Sequence, residues 1–207
     1  MTVPTIPGGG RRKVRRPSVL LAAPLILLVV PQLLSARADD VPLRLSVLEE
    51  DGLYTVTAQF EVEGSPETVI AVLTDYERIP EFMPGVKTSV VRERGIGRAV
   101  IEQDAISKFL FFSTRVHLLL EIRQEGGTIR FRDLAAESFT RYEGTWRVTT
   151  ERGKVLVWYE LSAAPAFAVP GYVLRRLFRR DSAEMATQLR REIARRSLEC
   201  RDHESTN

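Results

Sequence analysis

One long amphipathic stretch, Pro170 to Leu198, limits the folds open to this chain. At 3.6 residues per turn it makes about eight helical turns. Leu174, Leu177, Phe178, Met185, Leu189 and Ile193 recur at helical spacings and fall on one stripe. Arg175, Arg176, Arg179, Arg180, Arg190, Arg191, Arg195 and Arg196 take the other side. Pro170 stands just ahead of the first turn, where a missing N–H costs little. So broad a stripe needs an apolar partner. Residues 53–164 read almost throughout as short strands, so that partner is a sheet.

The strands follow from period-two alternation. Tyr54, Val56, Ala58, Phe60 and Val62 share one face, with Thr55, Thr57, Gln59, Glu61 and Glu63 on the other. Ser65 is an N-cap and Pro66 a first helical residue for a helix over 66–74, and a second helical turn over 76–82 is closed by Pro84-Gly85. Strands are then expected at about 86–93, 97–106, 109–124, 128–135, 139–149 and 154–163, separated by glycines at 95, 97, 126, 127 and 153. Such hairpin spacing predicts an antiparallel sheet. Phe112, Thr114, Val116, Leu118, Leu120 and Ile122 carry the apolar face, continued by Ile129, Phe131, Tyr142, Gly144, Trp146, Val148, Val155, Val157, Tyr159 and Leu161. The order is strand, two short helices, six strands, long helix. About seven strands at ~4.8 Å spacing make a sheet ~30 Å wide, whereas a helix is ~10–12 Å across. The sheet has to curl around the helix, and an apolar hollow between them is the expected consequence.

The amino terminus reads differently. Arg11, Arg12, Lys13, Arg15 and Arg16 precede an apolar run, Val19 to Leu34, and Ala36-Arg37-Ala38 fits a small-residue cleavage site. This is the pattern of an export signal, which assigns residues 1–38 to a signal peptide and the protein to the periplasm or the exterior. Retention of residues 19–34 as a membrane anchor is the alternative, although sixteen helical residues span about 24 Å against a ~30 Å hydrocarbon core. Residues 1–38 hold six of the 30 basic residues and none of the 27 acidic ones, so the mature chain carries 24 against 27. That balance removes the basic footprint a nucleic-acid partner would need. Residues 39–52 are expected as a mature leader, 53–198 as the domain and 199–207 as a disordered tail. Cys200 is the lone cysteine, so no internal disulfide is available.

Four pieces together resemble the START-like, helix-grip superfamily, in its polyketide cyclase/dehydrase and coenzyme Q-binding-like branch. They are Glu63 to Tyr76 (EGSPETVIAVLTDY), Ile79 to Val86 (IPEFMPGV), Tyr142 to Val148 (YEGTWRV) and the Val169-Pro170-Gly171 approach to the last helix. The resemblance covers about residues 53–198. It implies an α+β fold of order β-α-α-β6-α, with a cavity between a curved antiparallel sheet and the C-terminal helix. It also implies a lipid, quinone, polyketide-like or other hydrophobic ligand.

Catalytic signals are sparse. The sequence carries no nucleophile elbow, Walker loop, HExxH or CxxC motif, and no His/Cys cluster spaced for a metal. No catalytic residue, metal or cofactor is therefore assigned. His117, on the strand face opposite Val116, reads as a surface histidine. Glu102 and Asp104 share a strand face and read as solvated carboxylates rather than an acid–base pair. The candidate ligand-binding residues are Phe82, Met83, Phe112, Thr114, Phe131, Tyr142, Trp146, Tyr159, Phe178 and Met185, with Phe82, Met83 and Pro84 at the mouth. Gly144 is the position where a larger side chain is expected to narrow the hollow. The partner is a hydrophobic small molecule or lipid, and Arg175, Arg176, Arg179 and Arg180 are candidates for contact with an anionic membrane surface. A protein-interaction module with a filled core and a cyclase/dehydrase-type enzyme remain the other two classes open to the fold.

Overall fold

The structure is a computed structural model and describes residues 43–83, 85–109 and 112–204. The expected export signal and anchor lie outside the described residues. The elements in chain order are β1 (Arg44–Glu50), β2 (Leu53–Val62), α1 (Pro66–Thr74), a 3-10 turn (Tyr76–Arg78), α2 (Ile79–Phe82), β3 (Val86–Gly95), β4 (Arg98–Phe109), β5 (Phe112–Glu125), β6 (Thr128–Asp133), β7 (Phe139–Glu151), β8 (Lys154–Pro165) and α3 (Gly171–Glu204). The strands form a single antiparallel sheet in the order β1-β2-β8-β7-β6-β5-β4-β3. From β3 to β8 every neighbour in space is a neighbour in sequence. The one long connection is the α1–α2 segment, which carries the chain from β2 to β3 at the far edge of the sheet.

The local chemistry explains the helix boundaries. The Ser65 hydroxyl accepts a hydrogen bond from the Thr68 amide at 3.1 Å, and Pro66 opens the first turn of α1. Pro80 does the same for α2. In α3 the Pro170 carbonyl accepts from the amides of Val173 and Leu174 at 2.9 and 3.3 Å.

Two expectations are corrected here. Residues 44–50 are not a leader but the eighth strand, paired in register with β2 from Arg44↔Gln59 to Glu50↔Leu53. Asp51 and Gly52 both have positive φ, +49° and +79°, which is the backbone of a two-residue hairpin turn. At the other end α3 runs to Glu204, so residues 199–204 are helical rather than a disordered tail. Arg195 and Glu199 pair across one turn at 2.5 Å and extend the helix past its apolar stripe.

The core divides along α3. From its middle onward it inserts Ala186, Leu189 and Ile193 among Phe60, Val62, Val148, Val155 and Val157 of the sheet and Val69 and Val72 of α1. Leu189 and Ile193 are fully buried there. The same end is tied by charge. Arg196 reaches Glu192 through Nε at 2.7 Å and Asp75, at the end of α1, through Nη1 at 2.8 Å. Arg195 donates to both oxygens of Glu192, at 2.9 and 2.7 Å. Hydrogen bonds from Arg195 and then Arg196 outweigh burial and hold the Glu192 carboxyl down at about 2. Toward its N-terminal half α3 offers Phe178 and Met185, both half-buried, against a second cluster rich in aromatic rings.

Candidate functional site

The unequal packing of α3 leaves a cavity of about 550 Å³ between the helix, the apolar face of the sheet and the α1–α2 segment. That volume falls inside the ~300–1,000 Å³ range of ligand pockets. Nine of the ten residues singled out from sequence line it: Phe82, Met83, Thr114, Phe131, Tyr142, Trp146, Tyr159, Phe178 and Met185. The tenth, Phe112, begins β5 opposite Phe109, and its side chain lies outside the described residues, as does Pro84.

One wall is aromatic. Phe139 and Tyr142 lie 4.9 Å apart by ring centroids, Phe131 and Tyr142 5.9 Å, Phe131 and Tyr159 6.3 Å in stacked orientation, and Trp146 and Tyr159 4.3 Å. Phe178 reaches across from α3 to Tyr54, 5.1 Å away. Tyr142 and Tyr159 both meet the Phe131 ring at the buried end. Burial pushes the Tyr142 phenol up to about 12 and the Tyr159 phenol well above its usual value. Both stay protonated at any physiological pH.

The polar part of the lining lies on β4 and α3. Ser107 donates to Asp181 Oδ2 at 2.5 Å, and Gln103 donates to Ser89 at 3.0 Å. Gly85, Lys87, Arg180 and Glu184 are the exposed lining positions and mark the mouth, beside Phe82 and Met83 of the α2 end. The cavity is therefore apolar and aromatic inside, with its charges at the entrance.

Tyr76, Phe139, Phe167, Ser107 and Asp181 also line the cavity and were not anticipated. Phe139 was hidden by a register shift in β7 between Phe139 and Arg141, which turns an odd-numbered residue onto the even-numbered face. Asp181 sits among the arginines of α3, where nothing in the pattern distinguishes it from a solvated carboxylate.

Gly144 also differs from expectation. A Cβ there would stand 2.2 Å from the Glu160 carbonyl oxygen and 2.5 Å from the Phe131 ring. The Phe131 side chain lies over Gly144, its cross-strand partner, so this position has no room for a larger side chain and is not a place to narrow the hollow.

The carboxylates of β4 point elsewhere. Asp104 Oδ1 lies 3.1 Å and Glu102 Oε1 3.7 Å from the two ring nitrogens of His117, on partly exposed side chains that do not line the cavity. Among the described residues no group of three or more His, Cys, Asp or Glu side chains could hold a metal ion.

The profile of the family described as polyketide cyclase / dehydrase and lipid transport matches residues 62–190, more than half of the chain. No curated protein matches the sequence. Among solved structures, TTHA0849 from Thermus thermophilus superposes with a TM-score of 0.59 at 22% identity, covering 69% of this chain and 99% of that one. A STAR-related lipid transfer protein from Xanthomonas axonopodis gives 0.59 at 14% identity, covering 72% and 98%. The Zhui aromatase/cyclase from Streptomyces sp. R1128 gives 0.59 at 16% identity, covering 70% and 95%. At these identities the likeness is one of fold, and it is the helix-grip fold of the START-like superfamily. With its eight-stranded sheet, its gripping C-terminal helix and a profile match that runs from the end of β2 into α3, the chain belongs to the polyketide cyclase / dehydrase and lipid transport family.

Proposed function

We propose that this protein is an exported carrier that binds one hydrophobic molecule in the cavity and does not turn it over. The observation that carries this is the apolar hollow between α3, the apolar face of the sheet and the α1–α2 segment. A filled-core interaction module has no use for that volume. Turnover by acid–base chemistry would need a group near the buried end that gives up or takes a proton near neutral pH. Burial holds the protons on Tyr142 and Tyr159, the ionisable groups at that end, far above this range.

Export rests on the basic stretch at 11–16, the apolar run and the Ala36-Arg37-Ala38 site, so the mature chain begins at Asp39. Among the described residues no helix is long and apolar enough to cross a membrane. Contact with a membrane surface is supported by the start of α3, where Arg175, Arg176, Arg179 and Arg180 are all exposed and Arg180 stands at the mouth. Arg175 is also tied to Glu49 at 3.2 Å. Anionic head groups next to the mouth would let an apolar ligand pass without crossing water.

The exported protein itself gives the test. Its N-terminal sequence should start at Asp39, and mass spectrometry of an organic extract should show a co-purifying hydrophobic molecule. A chain that still carries residues 19–34 defeats the export proposal. An empty extract, with no uptake after incubation with a total lipid extract, defeats the carrier proposal.

A further inference from the structure

The outer face of the sheet carries a row of charge that the cavity does not use. Arg98, Arg123 and Arg130 alternate with the core residues Ala99, Ile122 and Ile129 and so point away from α3. They stand directly opposite one another on β4, β5 and β6. Like charges in cross-strand register repel and cost stability. One buried carboxylate answers them: Glu121 lies 3.4 Å from Arg98 Nε, 3.3 Å from Arg123 Nη2 and 2.7 Å from Arg132 Nε. A single negative charge among three guanidiniums leaves the cluster positive. Arg98 and Arg130 also face Glu93 and Glu125, but at 3.8 Å and on exposed side chains, too long for a hydrogen bond. All four guanidiniums are exposed, so most of their N–H donors are open to an acceptor from outside.

Beside this row a groove of about 570 Å³ crosses β5 to β8. Arg123, Arg130 and Arg132 line it on β5 and β6, and Thr145, Glu160 and Ser162 line it on β7 and β8. Arg141 and Glu143 line it too and are paired, Arg141 Nε donating to Glu143 at 2.9 Å. Thr145 and Glu160 are cross-strand partners. Among the described residues the side chains of Thr145, Glu160 and Ser162 meet no hydrogen-bond or ion-pair partner. The groove therefore offers cations on two strands, and two hydroxyls and a carboxylate on the next two. One row further along, the exposed Trp158 stands between Arg147 and Gln59, its cross-strand partners on β7 and β2. An exposed indole on a polar face is a flat platform for an apolar surface.

These features select one kind of partner. A surface of anionic lipid or a nucleic acid presents negative charge alone, which Glu143 and Glu160 oppose. An extended peptide docks on a sheet by adding a strand to a free edge, and β5 to β8 are paired on both sides. A chain of acidic sugars uses the whole set. Its carboxylates or sulfates meet the arginines, its hydroxyls donate to Glu160, Thr145 and Ser162, and the C–H face of a sugar ring lies on Trp158. We propose that the outer face of β4 to β8 binds an acidic polysaccharide, laid along Arg98, Arg123 and Arg130 and through the groove toward Trp158. The site is separate from the cavity and does not depend on what fills it.

Isothermal titration calorimetry of the purified protein tests this with four probes: a galacturonate octamer, a heparin octamer, uncharged maltooctaose, and poly-glutamate, which has carboxylates but no sugar ring. Wild type should bind at least one acidic octamer, more tightly than poly-glutamate, and should not bind maltooctaose. Arg130→Gln leaves all three arginines around Glu121 in place and should weaken that octamer about tenfold, the loss of one charge-assisted hydrogen bond. Trp158→Ala should weaken it several-fold at unchanged net charge and leave poly-glutamate binding as it was. Both side chains are exposed, so the unfolding midpoints should stay near that of wild type. If neither acidic octamer binds, if maltooctaose or poly-glutamate binds as tightly, or if either folded variant binds like wild type, the proposal is wrong.

Discussion

Gly144 shows how one residue can shape a cavity from behind its wall. With no side chain, it lets the Phe131 ring lie flat on β7 and stack toward Tyr159. Any Cβ there meets a backbone carbonyl at 2.2 Å, so relief requires the β7–β8 pairing to move. Gly144→Ala should therefore destabilise by about 1–3 kcal/mol, the usual cost of overpacking. A loss below ~0.5 kcal/mol in chemical denaturation would mean that Phe131 does not rest on this glycine. Residue identity on the inward face was largely legible from alternation, which is why Thr114, Phe131, Tyr142, Trp146 and Tyr159 line the cavity, while helical spacing placed Phe178 and Met185 there. What alternation could not reveal was Phe139, because a bulge changes the parity of the strand. Nor could it reveal that Tyr142 and Tyr159, seventeen residues apart in sequence, both meet the Phe131 ring.

At the scale of elements, α3 does two jobs along its length. Its C-terminal half is a packed core helix, closed by Leu189 and Ile193 and locked to α1 through Arg196 and Asp75. Its N-terminal half is a cavity wall. The apolar stripe looks the same in both halves, so sequence alone gave no reason to separate them. Truncation should separate them. Ile193→Ala removes a fully buried side chain from the packed end and should cost about 2–5 kcal/mol. Phe178→Ala removes more atoms but from the edge of a hollow, and should cost less than the ~3–5 kcal/mol of a fully packed Phe. A loss at Phe178 equal to or above that at Ile193, by chemical denaturation, would contradict the division. β1 was the one element missed. Leu43, Leu45 and Val47 alternate with Arg44 and Ser46, but the run is short and an edge strand pairs on one side only, which leaves a weak signal.

For the whole molecule, a single geometric mismatch sets the architecture. A wide apolar sheet and one narrow helix cannot cover each other, so the sheet curls and a hollow of about 550 Å³ stays open between them. The fold and the existence of the hollow were legible in the sequence, because both follow from element lengths and faces. The position of the mouth was only partly legible: Phe82 and Met83 were anticipated there, but Lys87, Arg180 and Glu184 depend on how the α1–α2 segment crosses the sheet. The most direct measurement is uptake of an uncharged, environment-sensitive dye such as Nile red, compared between wild type and Thr114→Phe. Thr114 lines the cavity, so a ring there fills empty space rather than overpacking a core, and the unfolding midpoint should stay near that of wild type. The account predicts saturable binding of about one dye per chain, weakened several-fold in Thr114→Phe. A wild-type protein that takes up no dye, or a folded Thr114→Phe that takes it up equally well, would contradict it.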